Sequence, residues 1–191
     1  MPTNPYREKL RQEFTAIIDA LSLSDLQKGF LKSRWLDQVI WMEGKADSGR
    51  DRYYLLRLLV IVGGVIVPAL VGLKVENQSL AESIRWTTFS ISLVVAISAA
   101  LEGFFRFGER WRNYRRTSEL LKNEGWHFFQ LSGPYQDFHD HSESYQDFAS
   151  RVESIILSDV ENYITTIVNE KTAGDSGKSD PKDTVKGQQT R

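Results

Sequence analysis

The chain contains no cysteine among its 191 residues. That excludes disulfide staples, thiolate metal sites and cysteine nucleophiles, and leaves the redox compartment open. It also lacks an excess of either charge: 24 Lys and Arg stand against 25 Asp and Glu, a formal net charge of −1. Nucleic-acid binding rests on a positive field, so no nucleic-acid partner is expected. The opening "MPTNPYREKLRQEF" is polar, with no apolar stretch followed by small residues, and no cleaved signal peptide is expected. No Gly-rich phosphate loop, nucleophile elbow or Ser-His-Asp set can be found. The expectation is a protein that is not an enzyme and carries no cofactor. "DFHDHSE" brings His139 and His141 close to Asp137, Asp140 and Glu143, but without regular zinc spacing it reads as a capping loop and no metal is expected. His127 reads as a packing residue.

What is present is a mosaic. Mean hydropathy is only −0.36, yet two runs are strongly apolar. Leu58 to Leu73 is uncharged, extended upstream by Tyr53, Tyr54, Leu55 and Leu56 with Arg57 interrupting. Trp86 to Leu101 is uncharged as well, with Gly103, Phe104 and Phe105 beyond Glu102. About 20 helical residues cross the roughly 30 Å hydrocarbon core of a bilayer. The first run shows no polar stripe at helical period, as a helix in a soluble bundle would. Two membrane spans are therefore expected, at about 53–73 and 84–105, rather than the buried hairpin of a soluble protein. Trp86, Tyr53, Tyr54, Phe104 and Phe105 suit the interfacial aromatic belt, and Arg57 lies near enough to an end to reach headgroups.

Basic residues set the expected orientation. Lys45, Arg50, Arg52 and Arg57 precede the first span; Arg106, Arg110, Arg112, Arg115, Arg116 and Lys122 follow the second. The twelve residues between, Lys74 to Arg85, hold two basic residues offset by Glu76 and Glu82. The positive-inside rule puts both termini in the cytosol, in a multi-pass protein of the bacterial cytoplasmic membrane.

The flanks read as helices, which makes the fold class all-α: a transmembrane hairpin extended into a cytosolic helical bundle. Residues 1–52 supply the N-terminal cytosolic helices, with one over Tyr6–Leu21. A second starts at a capping box of Ser24 with Gln27 and carries Leu26, Phe30, Leu31, Trp35, Val39 and Met42 on one face. Ser48-Gly49 either loosens the join or lets the helix run straight into the first span. Residues 106–170 form the C-terminal cytosolic helices. The second span is expected to continue as an amphipathic helix with Trp111, Tyr114, Leu120 or Leu121, and Phe128 on its packing face, ended by Gly133-Pro134. A last helix follows, with Tyr145, Phe148, Val152, Ile155, Ile156, Val160, Tyr163 and Ile167 inward. Residues 171–191 have the composition of a disordered tail.

Three stretches, "RWLDQVIWMEGKA", "IVGGVIVPAL" and "RWRNYRRTSELLKNEGWHFF" followed by "GPY", resemble the DUF4231 family of bacterial two-span proteins within the wider SLATT group, over roughly residues 20–165. The basic-aromatic stretch leading to "ELLKNEGW" is the most specific part. The resemblance implies a membrane effector, pore-forming in some proposals for the group, that works beside nucleotide-signalling or conflict systems.

The second span offers candidate functional residues. At about 100° per residue, Thr87, Thr88, Ser98 and Glu102 fall within an arc of about 100°. In a ring of copies this face would line an ion pathway, with Glu102 as a carboxylate ring favouring cations at the cytosolic mouth. The other reading is helix packing for the hydroxyls and an ion pair from Glu102 to Arg106 or Arg57. Gly64, Pro68 and Gly72 in the first span, and Ser92, Ala96 and Ala100 in the second, make small-residue packing seams that favour a homo-oligomer. Arg106, Arg110, Arg112, Arg115 and Arg116 fix topology and can meet anionic lipid headgroups, so the expected partners are membrane lipid, further copies of the chain and an ion. The leading expectation is an oligomeric, cation-conducting channel gated by its cytosolic helices; the alternative is a non-conducting, membrane-anchored scaffold.

Overall fold

The computed structural model describes residues 4–176, with side chains through Glu161. Six α-helices, a π turn and a 3-10 turn account for the regular structure, with no strand among the described residues. Helix α1 (Pro5–Ala20) starts where the Asn4 side chain accepts the Tyr6 N–H, and proline occupies the first turn, where an N–H would be unused. Helix α2 (Asp25–Phe30) starts at the expected capping box: the Gln27 N–H donates to the Ser24 hydroxyl at 3.3 Å, and the Ser24 N–H donates to the Gln27 side-chain Oε1 at 2.9 Å.

From α2 the chain passes through a π turn (Leu31–Leu36) into α3 (Asp37–Gly72), a single helix that runs past Ser48-Gly49 without a break. The wider π turn places both Leu31 and Leu36, with Trp35, in the interior. It also turns the preceding residues off the packed face, so Leu26, expected to face inward, is 85% exposed.

Five residues, 73–77, join α3 to α4 (Gln78–Phe105). This connection is shorter than the expected twelve because Asn77 caps α4, accepting the Ser79 and Leu80 N–H groups, and draws the polar residues 78–85 into helix. The second span does not run on into the next helix as expected. Arg106 adopts a left-handed conformation, φ 48°, between α4 and α5 (Phe107–Phe129), and redirects the chain. A 3-10 turn (Gly133–Tyr135) leads to α6 (His141–Ser176). Tyr163 and Ile167 lie beyond the described side chains, and 177–191 lie outside the described residues.

The core belongs to one end of the molecule. Phe14, Trp35, Phe128 and Phe148 are at most 1% exposed and meet ring to ring, with Phe128 stacked on Phe148 at 4.3 Å. The Trp35 indole N–H donates to the Leu121 carbonyl at 2.9 Å. Its ring lies against Gly125, where an added Cβ would come within 2.2 Å of it. The glycine is what lets α5 close onto α3. On α5, Leu121 and Phe128 are buried while Leu120 is exposed, which resolves the open choice between the two leucines.

The other end is different. The helix containing α2 and α3, and α4, are each long and apolar enough to cross a membrane. In each, only 6% of the most apolar eighteen-residue window is buried.

Candidate functional site

The hairpin of α3 and α4 includes a close approach at Gly63. A Cβ added at Gly63 would meet Val95 at 2.2 Å and Ile91 at 3.6 Å, so hydrogen is the only substituent that fits there. Gly64 and Gly72, from the predicted seam, have open space where a Cβ would go; Pro68, Ala96 and Ala100 are also exposed, and Ser92 is half-buried. The seam thus faces outward, and the contact within the chain uses the neighbouring glycine.

The predicted ion-pathway residues divide. Thr87 is exposed, Thr88 and Glu102 are half-buried, and Ser98 is 4% exposed. Apart from Ser92 beside them, the half-buried and buried positions of α4 (Ile84, Thr88, Ile91, Val95, Ser98, Glu102) recur by threes and fours and form the face turned to α3. Several hydroxyls are satisfied within the helix. Thr88 donates to the Ile84 carbonyl at 2.7 Å, Ser90 to Trp86 at 2.9 Å and Ser92 to Thr88 at 2.8 Å. Such bonds let hydroxyl residues sit in apolar surroundings without another partner. Glu102 reaches the α4–α5 joint, where its Oε1 would lie 3.4 Å from a Cβ on Gly108, beside the Tyr53 ring.

Below the joint two members of the predicted basic cluster, Arg106 and Arg115, take up specific partners. Arg106 pairs with Glu109 at 2.6 Å, and Arg115 with Glu119 at 3.0 Å. Arg115 also reaches Glu43 at 2.7 Å, in a network that sequence reasoning missed. Glu43 on α3 is 1% exposed. It accepts from Lys122 at 2.8 Å and from the Ser118 hydroxyl at 3.0 Å, both on α5, and Lys122 reaches Glu119 at 2.9 Å. Burial pushes the Glu43 carboxyl up. The hydrogen bond and charge of Lys122, the Ser118 hydroxyl and the Arg115 charge outweigh this and hold it below the ordinary carboxylate value. Burial likewise works against the Lys122 ammonium, and Glu43 and Glu119 together raise it above its ordinary value. The sequence did carry a signal: Glu43 follows Val39 by four residues and precedes Ala46 by three, which is core spacing, and Ser118 and Lys122 share the register of Leu121 and Gly125.

A second charged group locks α6 to α5. Glu124, 5% exposed, accepts from Arg151 at 2.5 Å and from the Tyr135 hydroxyl. Burial first, and the Glu124 carboxylate second, push the Tyr135 hydroxyl far above its ordinary value. In the His-X-His loop, Asp140 accepts the Ser142 and Glu143 N–H groups at 2.8 and 2.9 Å, and the His139 N–H donates to Glu143. These bonds cap α6. His127 approaches Ser132 at 3.2 Å. No group of three His, Cys, Asp or Glu able to hold a metal occurs among the described residues.

Residues 37–143, more than half of the chain, match the family described as "Protein of unknown function (DUF4231)". The match runs from the start of α3 through the hairpin and α5 to the first turn of α6. No curated protein and no solved structure matches.

Proposed function

We propose, from the premise that this chain belongs to the DUF4231 family, that it is a two-span integral membrane protein acting as a homo-oligomeric channel. The observation that carries the membrane reading is the lack of cover over the hairpin. Val65 and Val71 are 70% and 72% exposed, and Leu58, Phe89, Leu93 and Ile97 are exposed too. Each large apolar side chain left in water forgoes about 1.5–3 kcal/mol of burial. A face of this size in a folded chain calls for lipid or further copies. The core helix of a soluble protein passes the same test of length and hydropathy, but it would be mostly buried, and these windows are not. The basic residues on both flanks favour placing the two termini together in the cytosol of a bacterial inner membrane.

For conduction, Thr88, Ser98 and Glu102 make a polar track along α4, and a hairpin that served only as an anchor has no need of one. In a single chain this track faces α3. Opening therefore requires α4 to turn or separate from α3, driven through the α4–α5 joint at Arg106. The absence of native cysteine makes this testable with introduced pairs. The flux of monovalent cations from proteoliposomes should be blocked when Gly63→Cys and Val95→Cys are oxidised to a disulfide, and restored by reduction. Glu102→Gln should reduce cation preference. Protein that reconstitutes as an oligomer but passes no ion at any lipid composition refutes the channel.

The second reading is the non-conducting anchor, in which lipid holds the hairpin and the bundle recruits a partner. It is favoured by the same orientation of Thr88, Ser98 and Glu102 towards α3, and by the hydroxyl bonds that close α4 upon itself. Absence of flux together with stable membrane insertion selects it.

A further inference from the structure

Outside the hairpin, a groove of about 370 Å3 opens where α3, α5 and α6 meet. We propose that it binds a free aromatic α-amino acid. The site stands independently of whether the assembly conducts.

The floor is apolar: Met42 is 1% exposed and Ile156 7%. One wall is aromatic, with Trp41 and Tyr114 edge to face at 5.7 Å and 86°. Trp41 and Val160 are each 48% exposed in the groove, so large apolar surfaces face a space that nothing in the described chain fills. Such surfaces beside a few polar groups characterise small-molecule sites, which span about 300–1,000 Å3.

The polar groups narrow the ligand. Arg110 and Asp159 line the groove from opposite helices, yet they do not pair with each other, and Arg110 has no ion pair among the described residues. Among the described residues Asp159 receives only the Thr117 hydroxyl, at 2.8 Å, and a carboxylate has capacity for further donors. The amides of Gln38 and Asn113, each both donor and acceptor, also line the groove and have no side-chain partner among the described residues. A phosphate or other polyanion would satisfy Arg110 but meet repulsion from Asp159. A simple amine would do the reverse. An uncharged ring would cover both charges without pairing them, which is costly. A zwitterion with a planar apolar body satisfies all three parts: carboxylate towards Arg110, ammonium towards Asp159, and ring against Trp41, Tyr114 and the Met42–Ile156 floor.

The test is equilibrium dialysis of the full-length chain in lipid nanodiscs with labelled L-phenylalanine. Saturable binding is expected with a dissociation constant of about 1 mM or tighter. Phenethylamine, which lacks the carboxylate, and 3-phenylpropionate, which lacks the ammonium, should each bind at least about tenfold more weakly. Arg110→Gln should erase the preference for L-phenylalanine over phenethylamine. Asp159→Asn, which keeps an acceptor for Thr117, should erase the preference over 3-phenylpropionate. The comparison of analogues on the unaltered chain holds even where a variant folds poorly. No saturable binding up to about 10 mM, equal binding of the three compounds, tighter binding of adenosine monophosphate, or well-folded variants that keep both preferences would each overturn the assignment.

Discussion

The two ends of this molecule use the same secondary structure and solve opposite problems. In the bundle, α3 and α5 meet along a closed core, where Trp35 fills the notch at Gly125 and even a carboxylate, Glu43, has every nearby donor directed at it. In the hairpin, the same α3 meets α4 along a half-buried seam with Gly63 pressed on Val95, and leaves most of its apolar residues exposed. One continuous helix thus changes its pattern of burial along its length. Its lower half is patterned against a protein interior, with polar residues outside. Its upper half is apolar on every side, as a helix must be when its surroundings are as apolar as its contacts. Internal packing therefore tells where the chain holds itself together, and the lack of it tells where something else must.

The contrast breaks most sharply at Trp35. Trp35→Ala removes the largest buried ring and its hydrogen bond to the Leu121 carbonyl. It should destabilise the bundle by about 3–5 kcal/mol, with about 1 kcal/mol more for the lost bond. Guanidinium unfolding of the detergent-solubilised chain, followed by aromatic circular dichroism, measures this. A loss below about 1 kcal/mol would mean the bundle is not the closed core described.

Next comes the buried charge. Glu43→Ala leaves Lys122 facing the interior without its main partner and should cost about 3–5 kcal/mol; Glu43→Leu combined with Lys122→Met should recover most of that loss. The pH dependence follows from the two shifts. Glu43 is held below its ordinary value of about 4.5, so its contribution is complete above that pH and is lost as the pH falls through the lower folded value. Lys122 is raised above about 10.5, so its contribution is complete below that pH and is lost as the pH rises through the higher folded value. Chemical denaturation across pH should show an acid-side loss that is absent from the Glu43→Leu, Lys122→Met double variant. Identical acid-side profiles would remove Glu43 from the account.

The outward face of the hairpin supplies the complementary test. Val65→Arg alters a side chain that is 70% exposed. In water it should change stability by no more than about 0.5 kcal/mol, whereas at the centre of a bilayer it should cost about 2.5–3.5 kcal/mol of insertion. Carbonate extraction of membranes expressing the variant separates these outcomes: protein that remains fully inserted argues against lipid at this face.

Much of this was legible in the sequence because it depends on local chemistry. The Ser24–Gln27 capping box, the inward Trp35, Val39 and Met42, the two apolar runs and the break at Gly133-Pro134 each rest on residues close together in the chain. The rest depended on what lies across a gap. Nothing at Arg106 itself marks a left-handed residue, although the flanking Gly103 and Gly108 weaken the helix there; the turn is set by where α5 must go to reach α3. Leu26 read as core because the pattern assumes 3.6 residues per turn, and the π turn does not keep that period. Glu43 drew no reading from the sequence, although it sits at core spacing between Val39 and Ala46; its partners Ser118 and Lys122 lie more than seventy residues away in the chain. The track of Thr88, Ser98 and Glu102 was legible as a face, but which neighbour that face meets, α3 or a lumen, is not written in the period.

The smallest expected difference lies between adjacent glycines. Gly63→Leu drives a side chain into Val95 and should splay the hairpin, at about 1–3 kcal/mol, while Gly64→Leu enters open space. In the isolated chain Gly64→Leu should therefore lie within about 0.5 kcal/mol of the native protein. If copies associate through the outward seam of Gly64, Pro68 and Gly72, Gly64→Leu must weaken the oligomer while leaving the hairpin intact, and Gly63→Leu must damage the hairpin first. Chemical denaturation of each detergent-solubilised variant reports the hairpin, and native mass spectrometry from lipid reports the copy number. An assembly that tolerates Gly64→Leu without change places the contact between copies on some other face.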